Sequence, residues 1–521
     1  MLVLKHLRID HGVDGGHVGT HHLLTVALGM WSRELFLNEG RRMGPVDETR
    51  REFLSWVRGG LMAAAVSTLA ARDRPASGRE VAGESADLPP HFPARAKRAI
   101  HICMTGGVSQ VDSFDYKPAL EGLHGKSLSS DEKPDVFFGK VGLLRKSDWT
   151  FRQRGESGLW VSDLFPHIAN VADELLVIRS MQAETSNHTP ATFQENTGFR
   201  LNGFPVLGAW LSYGLGAETD NLPSFVVIPD QRGVPAGGSI NWSNGFLPAR
   251  HQGCVIRSQG EPIDDLFPAQ PRTVEQETAG RQLLSRLNER HLESRGGEDL
   301  LASRIRSYEL AAKMQLAVPE AAAIESETQE TLRQYGVGGK LTNDFGRSCL
   351  MARRLLERGV RFVQLFAGGA FGSPRINWDG HENVAENHGR EAARMDQPVA
   401  ALIADLRTRG LLDDTLVLLT SEFGRTPFTQ SGGNELGTGR DHNQNGFSVC
   451  MAGAGLRTGR TIGATDDIGW KAVEEVVPWH DFHATTLHLL GINHERLTFY
   501  HNGIQRRLTN VHGEVLSSIV D

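Results

Sequence analysis

The sequence predicts an α/β protein: a doubly wound, mostly parallel sheet flanked by helices. Three observations carry that expectation. Beyond residue 97, apolar runs of strand length recur and nearly all end in Gly, Asn, Asp or Ser loops. Amphipathic helical stretches separate the later runs. Strand, helix and strand in alternation require a parallel sheet covered on both faces. Composition agrees, since 521 residues at 39% hydrophobic and 22% charged supply a sizeable core and exclude disorder and fibrous repeats. The formal charge of −7, with arginines alternating with acids and no basic stripe, excludes a nucleic-acid partner.

In chain order, residues 1–48 are rich in His and Gly without a period, a leader of doubtful authenticity, and Met43 is the better start. Residues 49–71 follow as Thr49-Arg50-Arg51-Glu52-Phe53-Leu54-Ser55 and a modestly apolar run from Trp56 to Ala71. This segment resembles a twin-arginine export signal, with cleavage expected near Ser67 to Ala71. The run is too short for a membrane span, which needs about 20 apolar residues. An exported protein is therefore expected, periplasmic or extracytoplasmic, with no integral membrane span in the mature chain. Residues 72–97, rich in Pro, Ala, Ser and Glu, read as a linker, and residues 98–521 as the folded domain.

Within that domain, strands are expected at Ala99 to Met104, Leu175 to Met181, Phe225 to Ile228, Arg361 to Phe366, Thr415 to Thr420 and Phe447 to Met451. The clearest helix carries Met395, Val399, Leu402, Ile403 and Leu406 on one stripe, with Pro398 near its start and Gly410 after its end. Residues 273–335 read as a helical insertion packed on the sheet. Arg347, Arg353 and Arg354 fall on an amphipathic helix and are expected to be solvated. Cys103, Cys254, Cys349 and Cys450 are widely spaced, without zinc-ligand spacing, and three of them read as small buried hydrophobes. In doubly wound sheets the ligand lies outside the carboxyl ends of the strands. That rule selects Gly106 to Asp115, Glu184 to Thr192, Gly368 to His388, Glu422 to Arg425 and Arg440 to Asn443.

The stretch from Met395 to Gly424, RMDQPVAALIADLRTRGLLDDTLVLLTSEFG, resembles the sulfatase and alkaline-phosphatase-like superfamily. More closely, the chain resembles the DUF1501 family, a branch of that superfamily rich in exported proteins. The segments that carry this are Gly106 to Asp115, Asn187 to Thr192, Trp378-Asp379-Gly380-His381, Glu422 to Pro427, Gly439-Arg440-Asp441-His442 and the tail His480 to Val515, spanning nearly all of residues 98–516. The resemblance implies an alkaline-phosphatase-like fold and a metal-centred site hydrolysing a sulfate or phosphate ester, on a small-molecule or glycan substrate. A divalent ion, zinc, calcium or manganese, would neutralise charge on the transferred group. The expected ligands are Asp112, Asp379, His381, Glu422, Asp441 and His442. Arg425 and Arg440 are the candidate substrate contacts.

Departures from the superfamily pattern are chemical. The first strand ends in Thr105-Gly106-Gly107 where sulfatases carry an Asp pair, and Phe423 stands where they carry a ligand histidine. The nucleophile position holds His188 and the arginine position Thr192, which excludes formylglycine chemistry. The candidate catalytic residues are then His188 and Thr189: a hydroxyl nucleophile from Thr189 or Ser186 activated by metal or by His188, or His188 itself as ligand or phosphoryl acceptor. Each site has a plainer alternative. Asp379 could make an Asx turn, Glu422 an ion pair with Arg425, and Asp112 or Asp115 a helix cap. Asp481 is expected to cap the helix from Ala484 to Leu490. A non-catalytic ligand-binding or scaffold protein on the same fold is the alternative function. An isomerase or phosphomutase has no support beyond the fold.

Overall fold

Runs of Val, Ile and Leu without alternating polar residues must be buried on both faces, and such runs build the sheet. The computed structural model describes residues 90–128, 134, 136–264, 273–294 and 299–520. Residues 1–48, the twin-arginine-like segment 49–71 and the linker up to residue 89 lie outside the described residues. The strands are β1 (Arg98–Cys103), β2 (Leu175–Gln182), β3 (Phe225–Ile228), β4 (Cys254–Val255), β5 (Phe362–Phe366), β6 (Thr415–Thr420), β7 (Gly424–Thr429), β8 (Arg440–Asn443), β9 (Phe447–Gly453), β10 (Arg460–Ile462) and β11 (Val477–Pro478). Nine of them form one sheet in the order β10-β2-β9-β6-β1-β5-β3-β4, with β11 also paired to β2.

The sheet is doubly wound and mostly parallel, as expected, with β1 parallel to both β5 and β6. One strand departs: β9 runs antiparallel to β2 and β6. The cause is the connection. A parallel return needs a crossover of a dozen or more residues, usually a helix, whereas the chain between β6 and β9 is spent on the antiparallel hairpin β7–β8.

Eight helices matter for the argument: α1 (Gln110–Ser113), α2 (His188–Thr197), α3 (Leu207–Leu215), α4 (Val274–Ser294), α5 (Asp299–Ala322), α6 (Asn343–Glu357), α7 (Val384–Thr408) and α8 (Trp479–Leu489). Strand residues alternate between faces. Ile100, Ile102, Val363, Leu365, Val417 and Leu419 join one core cluster with α6 and α7. Ala99, Cys103, Phe362, Phe366, Leu416 and Leu418 join another with α3 and α8.

Four expectations are corrected. Helix α7 begins at Val384 rather than near Pro398, because its buried stripe continues backward through Met395, Ala392, His388 and Val384 and Asn383 caps it by accepting from the Glu386 N–H. Arg353 and Arg354 are buried, not solvated. Arg353 pairs with Glu327 at 2.9 Å and Glu357 at 2.6 Å, and Arg354 donates to the Ala321 carbonyl at 2.8 Å, fastening the end of the 273–335 region to the core. Asp481 lies inside α8, whose N-cap is Pro478, and accepts from the Glu514 N–H at 2.8 Å. Residues 90–97, read as the end of the linker, already pack: Arg95 and Ala96 donate to the Leu489 carbonyl, each at 2.9 Å, and Ala96 is buried.

Candidate metal centre

Four strand exits, those of β1, β2, β5 and β6, and one hairpin meet above the carboxyl end of β1. The chain leaves β1 through Gly106, whose φ of +121° suits glycine, and a Cβ there would lie 2.6 Å from the Asp379 backbone nitrogen. That close approach draws the loop after β5 across the sheet end, where Trp378 N–H donates to the Thr105 carbonyl at 3.0 Å and Trp378 Nε1 to the Ala367 carbonyl at 3.0 Å. The Asx turn in this loop belongs to Asn377, whose Oδ1 accepts from Asp379 N–H at 3.1 Å. The Asp379 carboxylate is thereby free to face inward. Gly106 N–H donates to Glu422 Oε1 at 2.8 Å, fixing the first residue pair after β6.

His188, Asp379, His381 and His442 converge, with one ligand atom from each lying within 4.8 Å of the others. The imidazoles point the same way. Asp379 Oδ1 lies 3.2 Å from His188 Nε2, 2.7 Å from His381 Nε2 and 3.3 Å from His442 Nε2, and the last two nitrogens are 2.8 Å apart. Each Nδ1 is held from behind by an oxygen: Glu422 Oε1 at 2.8 Å for His188, Gln430 Oε1 for His381, and the Ser186 carbonyl at 2.5 Å for His442. Those oxygens accept, so a neutral ring carries its hydrogen on Nδ1 and keeps a lone pair on Nε2. Three lone pairs and a carboxylate oxygen then face one point. That is unfavourable without a cation and is the donor arrangement of metal-bound histidines oriented from behind.

Electrostatics around the point are strongly biased. Burial opposes ionisation of Asp379, but the Arg425 guanidinium beside it outweighs that and holds the carboxyl far below the usual range. Burial, with the charges of Arg425 and the other two histidines, drives His442 well below its ordinary value. For His188 burial pulls downward, but hydrogen bonds to Asp379 and Glu422 win and raise it.

The other expected ligands and contacts sit elsewhere in the network. Glu422 stands behind His188 rather than beside the other ligand atoms. Asp112 is fully buried and paired with Arg440, 2.8 Å from its Nε, an internal ion pair and not a ligand. Asp441 lies in strand β8, not in a loop, and its carboxylate accepts from the His442 N–H at 2.8 Å and the Phe138 N–H at 3.0 Å. Arg425 and Arg440, expected to meet substrate, are fully buried, and their donors are taken by protein oxygens: Asp379 and the Gly107 carbonyl for Arg425, Asp112 and the Thr426, Arg145 and Lys146 carbonyls for Arg440. Thr189 is exposed at the start of α2. His388, near Asp379 in the sequence, accepts from Ser109 N–H at 3.0 Å, and burial lowers it to about 3.

The sequence did not reveal Gln430, the Ser186 carbonyl, or the aromatic rim. Phe371 packs on His188 at 4.4 Å, Phe137 on His442 at 4.8 Å and Phe138 on His381 at 4.9 Å between ring centroids. Arg375, which donates to Asp379 and pairs with Glu382 at 2.7 Å, also lies at this rim. No local pattern marks any of them.

Fold and site together define an α/β protein with a histidine-rich, metal-type pocket at the strand ends of a doubly wound sheet. The model of the family described as protein of unknown function, DUF1501, matches residues 96–520, and the chain belongs to that family. Among curated proteins none matches. Solved structures that are similar include the PsFucS1 sulfatase from Pseudoalteromonas sp. (12% identity, 78% of this chain and 70% of that one, TM-score 0.34). A TAB5 alkaline phosphatase mutant with magnesium in its M3 site is similar over 77% of this chain and 99% of its own (12% identity, TM-score 0.33). The zinc complex of the periplasmic domain of EcEptC from Escherichia coli is similar over 78% and 86% (10% identity, TM-score 0.33). Likeness at this level assigns neither ligand nor reaction to this chain. Among the described residues no helix is long and apolar enough to cross a membrane.

Proposed function

We propose that the protein is an exported, metal-dependent hydrolase of sulfate or phosphate esters. One observation carries the reading: His188, His381 and His442 turn their Nε2 atoms toward Asp379 while an oxygen holds each Nδ1 from behind. Three imidazoles with one carboxylate suit zinc or manganese and weigh against calcium, which takes six to eight oxygen ligands. A divalent ion bound there would supply Lewis acidity and neutralise charge on the transferred group. The chain's own contribution is orientation: Glu422 fixes His188, Gln430 fixes His381, and the Ser186 carbonyl fixes His442. Arg425 keeps Asp379 ionised. An anionic ester would also meet the N-terminal end of α2, where Asn187 makes no side-chain cap. The exposed rings of Phe137 and Phe138 suit a sugar or aryl leaving group.

A second reading, a ligand-binding or scaffold protein, is favoured by the spent arginines and by the exposure of Thr189. One experiment separates them. Elemental analysis of the purified protein should return stoichiometric metal that His188→Ala and His381→Ala lose, and the loaded protein should turn over at least one class in a panel of phosphate and sulfate esters. Metal without turnover supports the binding reading. Metal-free, equally stable protein refutes the metal centre altogether.

A further inference from the structure

Beneath the strand ends lies a second group of metal-type ligands, separate from the first. His101 and Cys103 alternate on β1 and so face the same side of the sheet, the side covered by α2, which brings down Glu195. All three are buried, and one ligand atom from each lies within 4.8 Å of the others. Cys103 Sγ is 3.5 Å from His101 Nε2 and 3.9 Å from Asn196 Oδ1. Thr420 on β6 joins the group, its Oγ1 2.7 Å from His101 Nε2 and donating to Glu195 Oε1 at 2.5 Å. The other carboxylate oxygen, Glu195 Oε2, is buried without a hydrogen-bond partner. A buried carboxyl oxygen left without a partner is destabilising and calls for an explanation.

We propose that His101, Cys103 and Glu195 form a second metal site of the zinc class, structural in role, with the Asn196 amide oxygen as its fourth ligand. Thiolate, imidazole and carboxylate are zinc ligands, and tetrahedral coordination places ligand atoms about 3.4–3.7 Å apart, a spacing that Cys103 Sγ and His101 Nε2 already have. The charges close as well. A divalent ion, a thiolate, a carboxylate and a neutral imidazole sum to zero, the condition for a fully buried site. Binding the ion requires Cys103 as thiolate and Glu195 as carboxylate, so any proton on either leaves as the ion enters. The enclosure implies loading during folding and slow exchange afterwards.

This inference does not depend on the proposed hydrolase, and sulfur separates the two sites. The full chain is produced in cobalt-supplemented medium, and its absorption and metal content are measured. The expected result is two cobalt equivalents and a sulfur-to-cobalt charge-transfer band, because the pocket of His188, Asp379, His381 and His442 contains no sulfur. Cys103→Ser should abolish the band and one equivalent, and His442→Ala should leave the band intact. Glu195→Gln, close in size, should weaken the band if Cys103→Ser does not fold. Folded cobalt protein with one equivalent and no band overturns this site alone. A band that survives Cys103→Ser also overturns it, and complete absence of cobalt overturns both sites.

Discussion

Asp112→Asn tests whether the first acidic residue after β1 serves structure or metal. Its carboxylate meets the Arg440 Nε at 2.8 Å, accepts from the Ser109 hydroxyl at 2.5 Å, and both members of the ion pair are fully buried. Coulomb attraction at that separation and an effective dielectric constant of about 20 amounts to roughly 6 kcal/mol. Desolvation offsets part of this, but removing one partner leaves a buried guanidinium uncompensated, which costs about 3–5 kcal/mol. Unfolding entropy over roughly 425 folded residues is about 0.9 kcal/mol per kelvin, so the melting temperature should fall by about 3–6 °C. The assay pairs thermal unfolding with elemental analysis of the same preparation. Lower stability with unchanged metal content is the expected result. Lost metal at unchanged stability would refute the structural role and return Asp112 to the ligand set.

The same pair sets an acid limit. Burial works against ionisation of Asp112, yet Arg440 and the Ser109 hydroxyl outweigh it and leave the carboxyl below its usual range. Its stabilisation is therefore complete above the unfolded value of about 4 and is lost as pH falls through the lower folded value; Asp112→Asn should flatten the acid limb of a stability-versus-pH curve, and an unchanged limb would contradict this. Gly439→Ala should weaken metal affinity at least tenfold, since a Cβ there would fall 1.6 Å from the His381 carbonyl oxygen and must displace that ligand's backbone; equilibrium dialysis against zinc reads the effect, and wild-type affinity would show that the hairpin moves instead. Phe137→Ala and Phe138→Ala, which remove half-exposed rings packed against His442 and His381, should each raise KM for an aryl or glycan ester about 2- to 13-fold at constant metal content. Equal KM values would leave the rim without a role in substrate binding.

The central strands were legible because each is buried on both faces and so carries an apolar run such as Leu416 to Leu419. Strand β7 was not. Its residues Gly424 to Thr429 include Arg425, Thr426 and Pro427, yet all are buried, because their polar groups are satisfied by distant partners: Gln110 bonds the Arg425 backbone in both directions. No local pattern encodes a contact with a residue more than three hundred positions away. The start of α7 was legible but unread: Asn383 followed three residues later by Glu386 is a start signal. For the site, the strand-end rule selected segments that contain His188, Asp379, His381 and His442, and the structure brings these four side chains together. It could not distinguish Asp379 from Asp112. Both follow a strand exit, and each faces a buried arginine, but only Asp379 also faces imidazoles.

That difference also separates the two arginines. Arg440 and Asp112 cancel each other away from the pocket, whereas Arg425 meets Asp379 at 2.7 Å on the oxygen that the histidines share. Counting formal charges, Asp379, Glu422 and Glu382 against Arg425 and Arg375 leave the pocket at minus one when the imidazoles are neutral, as metal ligation requires. A sulfate or phosphate ester would be repelled by that pocket in a low-dielectric setting, where each unit of charge counts for more than in water. A divalent ion reverses the sign to plus one without any side chain moving to supply a cation. Buried arginines in this protein therefore do not need to reach substrate for the site to attract an anion. Under the proposed function, Arg425 keeps Asp379 ionised as a ligand, and the attraction would fall to an ion held by the three oriented histidines and the carboxylate.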